Sequence, residues 1–382
     1  MRVLGRLTGE YAVKIESRYR LKEIKVSGYK SIGEPQTLNL SDVNVLIGAN
    51  GAGKSNLVSF FQMLNHVATN RLQLFIGRSG YTDSLLYFGT KRSEHLKVKI
   101  SCENQENSLR YNFVLGHAYQ GQMIFIDEEI ENVGKDQQYH LGAGQQESSL
   151  REYSNRLPEA KALLSLLEGC RVFQFHDTSA KAPIRQPADI NDNRSLRPDA
   201  GNLAAFLYAM RESERGKRYF ERTESSIQRV MPQFEAFSLE PAVENPNYIK
   251  LAWKSQKGDY IFGAHQLSDG SLRFMALAAL LLQPPENLPR VIVIDEPELG
   301  LHPKALMDLV GMIDIASESC QVVLSTQSSF LLNFFDVDDV IVVDVEDDST
   351  VYKRLDKEEL AQWVRDYSLA ELWEKNILGG RP

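Results

Sequence analysis

Two hydrophobic periods divide this chain. Residues 43–47 (VNVLI) form a short, mostly apolar run, and residues 56–64 (NLVSFFQML) then repeat apolar positions at the helical spacing. The order returns further on: "FMALAALLL" over 274–282 reads as a buried helix, "VIVI" over 291–294 as a buried strand, and "QVVLS" over 321–325 as another. Unbroken apolar strands of this kind belong at the centre of a parallel sheet, covered on both faces. Between the two regions the period shortens to two. Residues 95–131 alternate and turn like an antiparallel meander. A helical stretch is expected over 148–167, a short strand in "RVFQF", helices over 202–210 and 215–230, and strands in "EAFSLEPA" and "NYIKLAWKS". No heptad pattern is sustained, which excludes a long coiled coil. No internal repeat or low-complexity linker is present.

Composition narrows the class. At 382 residues, 43% hydrophobic and 25% charged, the chain has the balance of a soluble globular protein of one large or two ordinary domains. No stretch approaches the roughly 18 consecutive apolar residues of a membrane span. The opening "MRVLGRLTGEYAVKIESRYR" lacks the apolar core of a signal peptide. Cys102, Cys170 and Cys320 are scattered without a CxxC pair, so a reduced, cytoplasmic location is expected. The net charge of −8 argues against a surface that coats nucleic acid throughout, while leaving room for a local basic groove. The basic stretch 211–229 is interleaved with glutamates and reads as a solvated helix face.

Candidate chemistry clusters at the ends of the buried strands. Residues 48–55 read G-A-N-G-A-G-K-S, fitting G-x-x-x-x-G-K-[ST] between a strand and a helix. Glycines there let backbone N–H groups turn inward around phosphate oxygens, and the helix start adds its positive dipole end. Asn50, Gly51, Gly53, Lys54, Ser55 and Asn56 are the candidate ATP-binding residues, with Lys54 reaching the β- and γ-phosphates and Ser55 ligating Mg²⁺. The strand 291–294 ends in Asp295-Glu296. Asp295 is the second Mg²⁺ candidate and Glu296 the base that activates water. Residues 267–271 (LSDGS) precede the buried helix and resemble the LSGGQ signature of ABC-type ATPases, with Asp269 replacing one glycine. Ser268 and Gly270 would form an anion site at that helix start.

Together "GANGAGKSNL", "FQFHDTS", "NRSLRPDAGNLAAFLY", "LSDGSLRFMALAALLLQP", "DEPELGLHP" and "STQS" make the chain resemble the RecF/SMC-type branch of the ABC ATPases. It is most similar there to bacterial stand-alone AAA/ABC-like ATPases, an OLD-like head without the TOPRIM nuclease. The resemblance covers about residues 21–382. It implies an α/β P-loop NTPase: an ABC-type ATPase head over 21–382, an inserted β-rich and helical lobe over 95–254, and an N-terminal extension over 1–20. It further implies an ATP-sandwiched homodimer in which the signature serine meets ATP on the other subunit. A separate effector such as a nuclease, in DNA repair or anti-phage defence, belongs to the same implication; DNA binding rests on the family alone. A structural ATP-binding scaffold with negligible turnover is the alternative, and a transporter's nucleotide-binding subunit the weaker one, since it would need a membrane partner and the inserted lobe and "DEPELGLHP" match it poorly.

Four positions carry narrower expectations. The ABC pattern places a histidine beside the γ-phosphate, where this chain has Gln327. An amide still donates a hydrogen bond but never becomes cationic, so slow turnover is expected. Gln174 and His176 in "FQFHDTS" are both candidates for the residue that senses Mg²⁺ and water, and a core strand followed by an Asp-Thr turn is the equal alternative. His302 is read first as a helix-start residue before Pro303, with a role in trans as the alternative. The carboxylates of "VDVEDD" read as a strand end or hairpin turn. Near the C-terminus, Trp363 and Trp373 are expected to pack inward.

Overall fold

Residues 18–380 are described by a computed structural model of the chain. The expected N-terminal extension lies almost wholly outside them, and the first strand begins at Arg20. Two compact units emerge. Of the described residues, one holds 18–171 together with Val337–Gln362 and 375–380; the other holds Val172–Asp336 and Trp363–Glu374.

In the first unit the strands Val43–Ile47 and Val340–Glu346 pair in parallel, and Val340–Glu346 turns back antiparallel onto Ser349–Arg354. Asp347 and Asp348 make that turn with φ of 45° and 62°, the two left-handed residues a tight hairpin requires. "VDVEDD" is thus a strand end and hairpin. Val43–Ile47 is buried at every position, which explains its continuous apolar run.

The expected meander is present. His95–Glu103, Ser108–His117, Met123–Asn132 and Gln137–His140 pair successively antiparallel, and Arg20–Ser27 and Gln36–Asn39 extend the sheet on the far side. Burial alternates along His95–Glu103, placing Leu96, Val98, Ile100 and Cys102 inside. The stretch 148–167 is two helices, Leu150–Tyr153 and Pro158–Glu168. Pro158 has no N–H to donate and opens the second helix, where that donor would have no intrahelical partner.

The second unit is built on Val291–Asp295, paired in parallel with Gln321–Ser325 and flanked by Val172 and Phe173 at the end of the strand Cys170–Phe173. Helices Leu203–Glu212, Lys217–Val230, Asp269–Leu281 and Pro303–Ser317 accompany a small antiparallel sheet of Phe234–Phe237, Ala252–Ser255 and Ile261–Gly263. Trp373 is buried as expected, but Trp363 is 44% exposed beside Tyr367. Trp373 lies in the short helix Leu369–Glu374, whereas Trp363 lies in the turns that precede it. Among the described residues the longest helices run 15 residues, and none is long and apolar enough to cross a membrane.

Candidate functional site

The phosphate-loop half lies in the first unit. The helix Lys54–Ala68 starts directly after the loop, and its N-cap, Gly53, supplies no side-chain cap to the first turn. That leaves the helix start suited to an external anion. Gly53 has φ of +114°, and a Cβ there would come within 2.3 Å of Thr350 Oγ1. Gly51 has φ of +82°, and nothing lies within 4 Å of where a Cβ would stand there. Thr350 donates to the Ala52 carbonyl at 2.8 Å and lies 2.7 Å from Ser31 Oγ, bracing the loop from behind. The Lys54 side chain is buried and its Nζ donates to the carbonyl oxygens of Gly48 at 2.5 Å and Ala49 at 2.9 Å. An ammonium held by its own loop's carbonyls crosses the cradle where phosphate oxygens would replace them. Asn50 and Ser55 are exposed, and Asn56 donates to Ser31 Oγ at 2.6 Å. Open glycine amides, an uncapped helix start and a poised lysine fit a nucleotide polyphosphate.

The carboxylate half lies in the second unit. Asp295 ends its strand almost buried and accepts from Gln174 Nε2 at 3.0 Å. Glu296 follows in the left-handed region, φ +47°, a conformation a non-glycine residue adopts only under constraint. Its N–H donates to the Ser325 carbonyl at 2.7 Å, which clamps the turn onto the neighbouring strand. Gln327 Nε2 donates to Glu296 Oε1 at 2.5 Å, while Glu296 Oε2 stands 4.0 Å from His176 Nε2. His176 Nε2 is also 3.0 Å from the Asp295 carbonyl. Both "FQFHDTS" candidates therefore meet the carboxylates, Gln174 at Asp295 and His176 at Glu296. The Asp295 carboxylate is a hard oxygen donor of the kind Mg²⁺ takes, as the Ser55 hydroxyl is within the first unit.

Ser268 and Gly270 occupy the start of the helix Asp269–Leu281. Ser268 is the N-cap and accepts from the Ser271 N–H at 3.1 Å. A Cβ on Gly270 would come within 2.2 Å of the Gly300 carbonyl oxygen, so this glycine also serves close packing onto the loop after the carboxylates. His302 is the N-cap of Pro303–Ser317, its Nδ1 accepting from Lys304 N–H at 3.3 Å. This is the helix-start arrangement expected for it.

Three polar residues outside the candidate set tie this half together. Arg185 donates to the carbonyls of Ala264 and Leu267 and meets Asp269 Oδ1 at 2.8 Å. The Thr178 hydroxyl, followed by this guanidinium, holds the Asp269 carboxyl below its usual range. Asp269, the departure from the signature pattern, thus anchors the loop internally. Arg273 donates to the carbonyls of Phe175, His176 and Leu299. Glu298 Oε1 accepts from Thr326 Oγ1 at 2.6 Å and from the Gln327 N–H at 2.9 Å, whereas its Oε2 is buried without a partner. Glu298 therefore fixes the backbone from which Gln327 reaches Glu296. It stands inside "DEPELGLHP", but its partners lie on a different strand end.

Comparison with known proteins follows the same lines. A family model described as "AAA domain, putative AbiEii toxin, Type IV TA system" matches residues 43–333. An Smc head bound to the C-winged helix domain of ScpA covers 90% of this chain and 99% of its own, at 15% identity and a TM-score of 0.60. An Smc head with an extended coiled coil bound to the C-terminal domain of ScpA, from Pyrococcus furiosus, covers 91% and 99% at 15% identity and a TM-score of 0.58. A third Smc head, with a coiled coil and joint, from Pyrococcus yayanosii, covers 91% and 99% at 11% identity and 0.53. No curated protein matches the chain.

Proposed function

The chain belongs to the AAA-domain family of AbiEii type, and from that premise we propose an ATP-binding and ATP-hydrolysing switch that closes as an ATP-sandwiched head dimer. Its α/β fold is that of an SMC/RecF-like, ABC-type P-loop ATPase head without a long coiled coil among the described residues. The observation that carries the reading is the phosphate loop: left-handed Gly51 and Gly53 with Lys54 folded across an open cradle. Lys54 and the loop amides hold the β- and γ-phosphates. Ser55 and Asp295 would hold a magnesium ion, which would neutralise charge on the transferred phosphoryl group. Glu296 takes the proton of the attacking water, oriented by Gln327 on one carboxylate oxygen and faced by His176 on the other. Ser268 and Gly270 present the signature helix start to the nucleotide of the second protomer. The division into a head over 21–382 with an inserted lobe over 95–254 belongs to the same proposal.

The family's description in terms of a toxin–antitoxin system supports defence over repair as the setting, with a separate effector carrying out the damage. A scaffold that binds ATP with negligible turnover is the second reading. It is favoured by the 2.5 Å contact that engages Glu296 with a neutral amide. Steady-state ATP hydrolysis separates the two. The switch predicts slow turnover that Glu296→Gln abolishes while ATP binding persists; turnover indistinguishable between the two proteins supports the scaffold.

A further inference from the structure

A groove of about 440 Å³ runs between two helices of the second unit, Lys217–Val230 and Pro303–Ser317, and none of the candidate nucleotide-site residues lines it. Its walls are helical stripes. Lys304, Met307, Asp308, Gly311, Met312 and Ile315 recur at the spacing of one helix face, and Arg222, Ser226 and Arg229 do the same on the other helix. From 304 to 315 the longer stripe spans about 16 Å, the length of roughly three helical turns.

The floor of the groove is apolar. Leu282 and Met312 are buried, while Met307 is 59% exposed. Methionine is unbranched and polarizable, and suits a surface that takes up another apolar side chain. Gly311 is the member that the fold leaves unexplained. An interior helix glycine is less favourable than alanine, yet a Cβ at this position would meet nothing within 4 Å, so no packing inside the unit calls for it. On an exposed groove it opens room for an outside backbone to come close.

Charge selects the occupant. Three cations, Arg222, Arg229 and Lys304, stand against one carboxylate, Asp308. Asp308 is already engaged: Arg229 Nε donates to its Oδ1 at 2.7 Å, and a second nitrogen of that guanidinium donates to Ser226 Oγ at 3.0 Å. Among the described residues no ion pair or side-chain hydrogen bond engages Arg222 or Lys304. The basic stretch 211–229 thus contributes two arginines to an apolar groove on a chain of net charge −8. An apolar floor three turns long, with an unpaired cation on each wall, is complementary to an amphipathic helix with acidic flanks.

We propose that this groove is a docking site for one such helix of a separate protein. Its apolar side lies on Met307, Gly311 and Met312, and its acidic flanks lie beside Arg222 on one wall and Lys304 on the other. The proposal is independent of the ATP reading.

The test is fluorescence anisotropy on the full chain without nucleotide. The probe is a fluorescein-labelled peptide of about 15 residues, with leucines along one helical face and glutamates on both flanks; a second probe carries lysines in place of the glutamates. The glutamate peptide should bind at least about 10-fold more tightly than the lysine peptide, and Arg222→Glu should erase that preference. Gly311→Leu, which fills the floor, should weaken both peptides about 10-fold or more, with an unchanged or raised melting temperature reporting an intact fold. Equal affinity for the two peptides, an unaltered affinity in Gly311→Leu, or no binding of the glutamate peptide at about 1 mM overturns the docking site. So does a wild-type chain that sediments as a dimer without nucleotide and becomes a monomer in Gly311→Leu, since a second copy then covers the groove.

Discussion

Glu128 in the meander and Glu296 at the strand end are both glutamates surrounded by hydrogen-bonding groups, yet their surroundings differ in kind. Glu128 is fully buried and accepts from Tyr111 at 2.6 Å, Ser148 at 2.5 Å, Gln145 at 3.0 Å and the Ser149 N–H at 3.0 Å. Those donors use the acceptor capacity of both oxygens. Burial and the adjacent Glu128 push the Tyr111 hydroxyl well above its ordinary range, so it stays a donor. Glu296 has a side chain 31% exposed, a single donor on one oxygen and a constrained backbone. Saturated donors make Glu128 a structural joint. Glu296 keeps unused acceptor capacity facing solvent, as the base of the proposed hydrolysis would need.

That contrast is best broken by substitution. The largest effect is expected at Glu296. Glu296→Gln should lower turnover about 10²–10⁴-fold, or roughly 3–5 kcal/mol, without a matching loss of stability. Calorimetry alongside the rate assay checks both. A comparable loss of melting temperature would place Glu296 with Glu128 instead. Glu128→Ala should do the reverse, costing about 2–4 kcal/mol in denaturant unfolding because buried donors lose their acceptor. Per-molecule turnover of the folded fraction should stay near wild type; a collapse of turnover there would end the distinction.

Gln327→Ala sharpens the comparison at smaller scale. Removing one amide donor to a carboxylate should lower turnover about 10-fold, in keeping with roughly 1.5 kcal/mol for a hydrogen bond to a charged group. Glu298→Ala should approach the same effect through the displaced Gln327 backbone, and the double variant should fall short of the product of the two. Fully multiplicative rates would show that Glu298 acts independently of Gln327.

The legibility of these features in sequence follows from what each depends on. The phosphate loop works through backbone geometry, and glycines at fixed spacing encode that geometry directly. The buried strands 43–47, 291–295 and 321–325 were legible for a similar reason, since a strand covered on both faces must be apolar throughout. Arg185 was not legible, because its carbonyl partners at 264 and 267 are joined to it only by folding. Glu298 stood within a recognised motif, but its role depends on the parallel pairing that brings Thr326 and Gln327 to it. Sequence could not choose between Gln174 and His176, because folding brings Gln174 to the Asp295 carboxylate and His176 to the Asp295 carbonyl and towards Glu296. Trp363 misled because an indole reads as core by hydropathy, whereas it stands in the turns before the last short helix and only Trp373, within that helix, is buried.

Closure around ATP is the central claim, and solution mass of the Glu296→Gln protein, with and without Mg-ATP, tests it most directly. Blocking hydrolysis should trap the closed state, giving a monomer-to-dimer shift on ATP addition that Ser268→Arg abolishes. A mass that stays monomeric while ATP is demonstrably bound would contradict the ATP-sandwiched dimer.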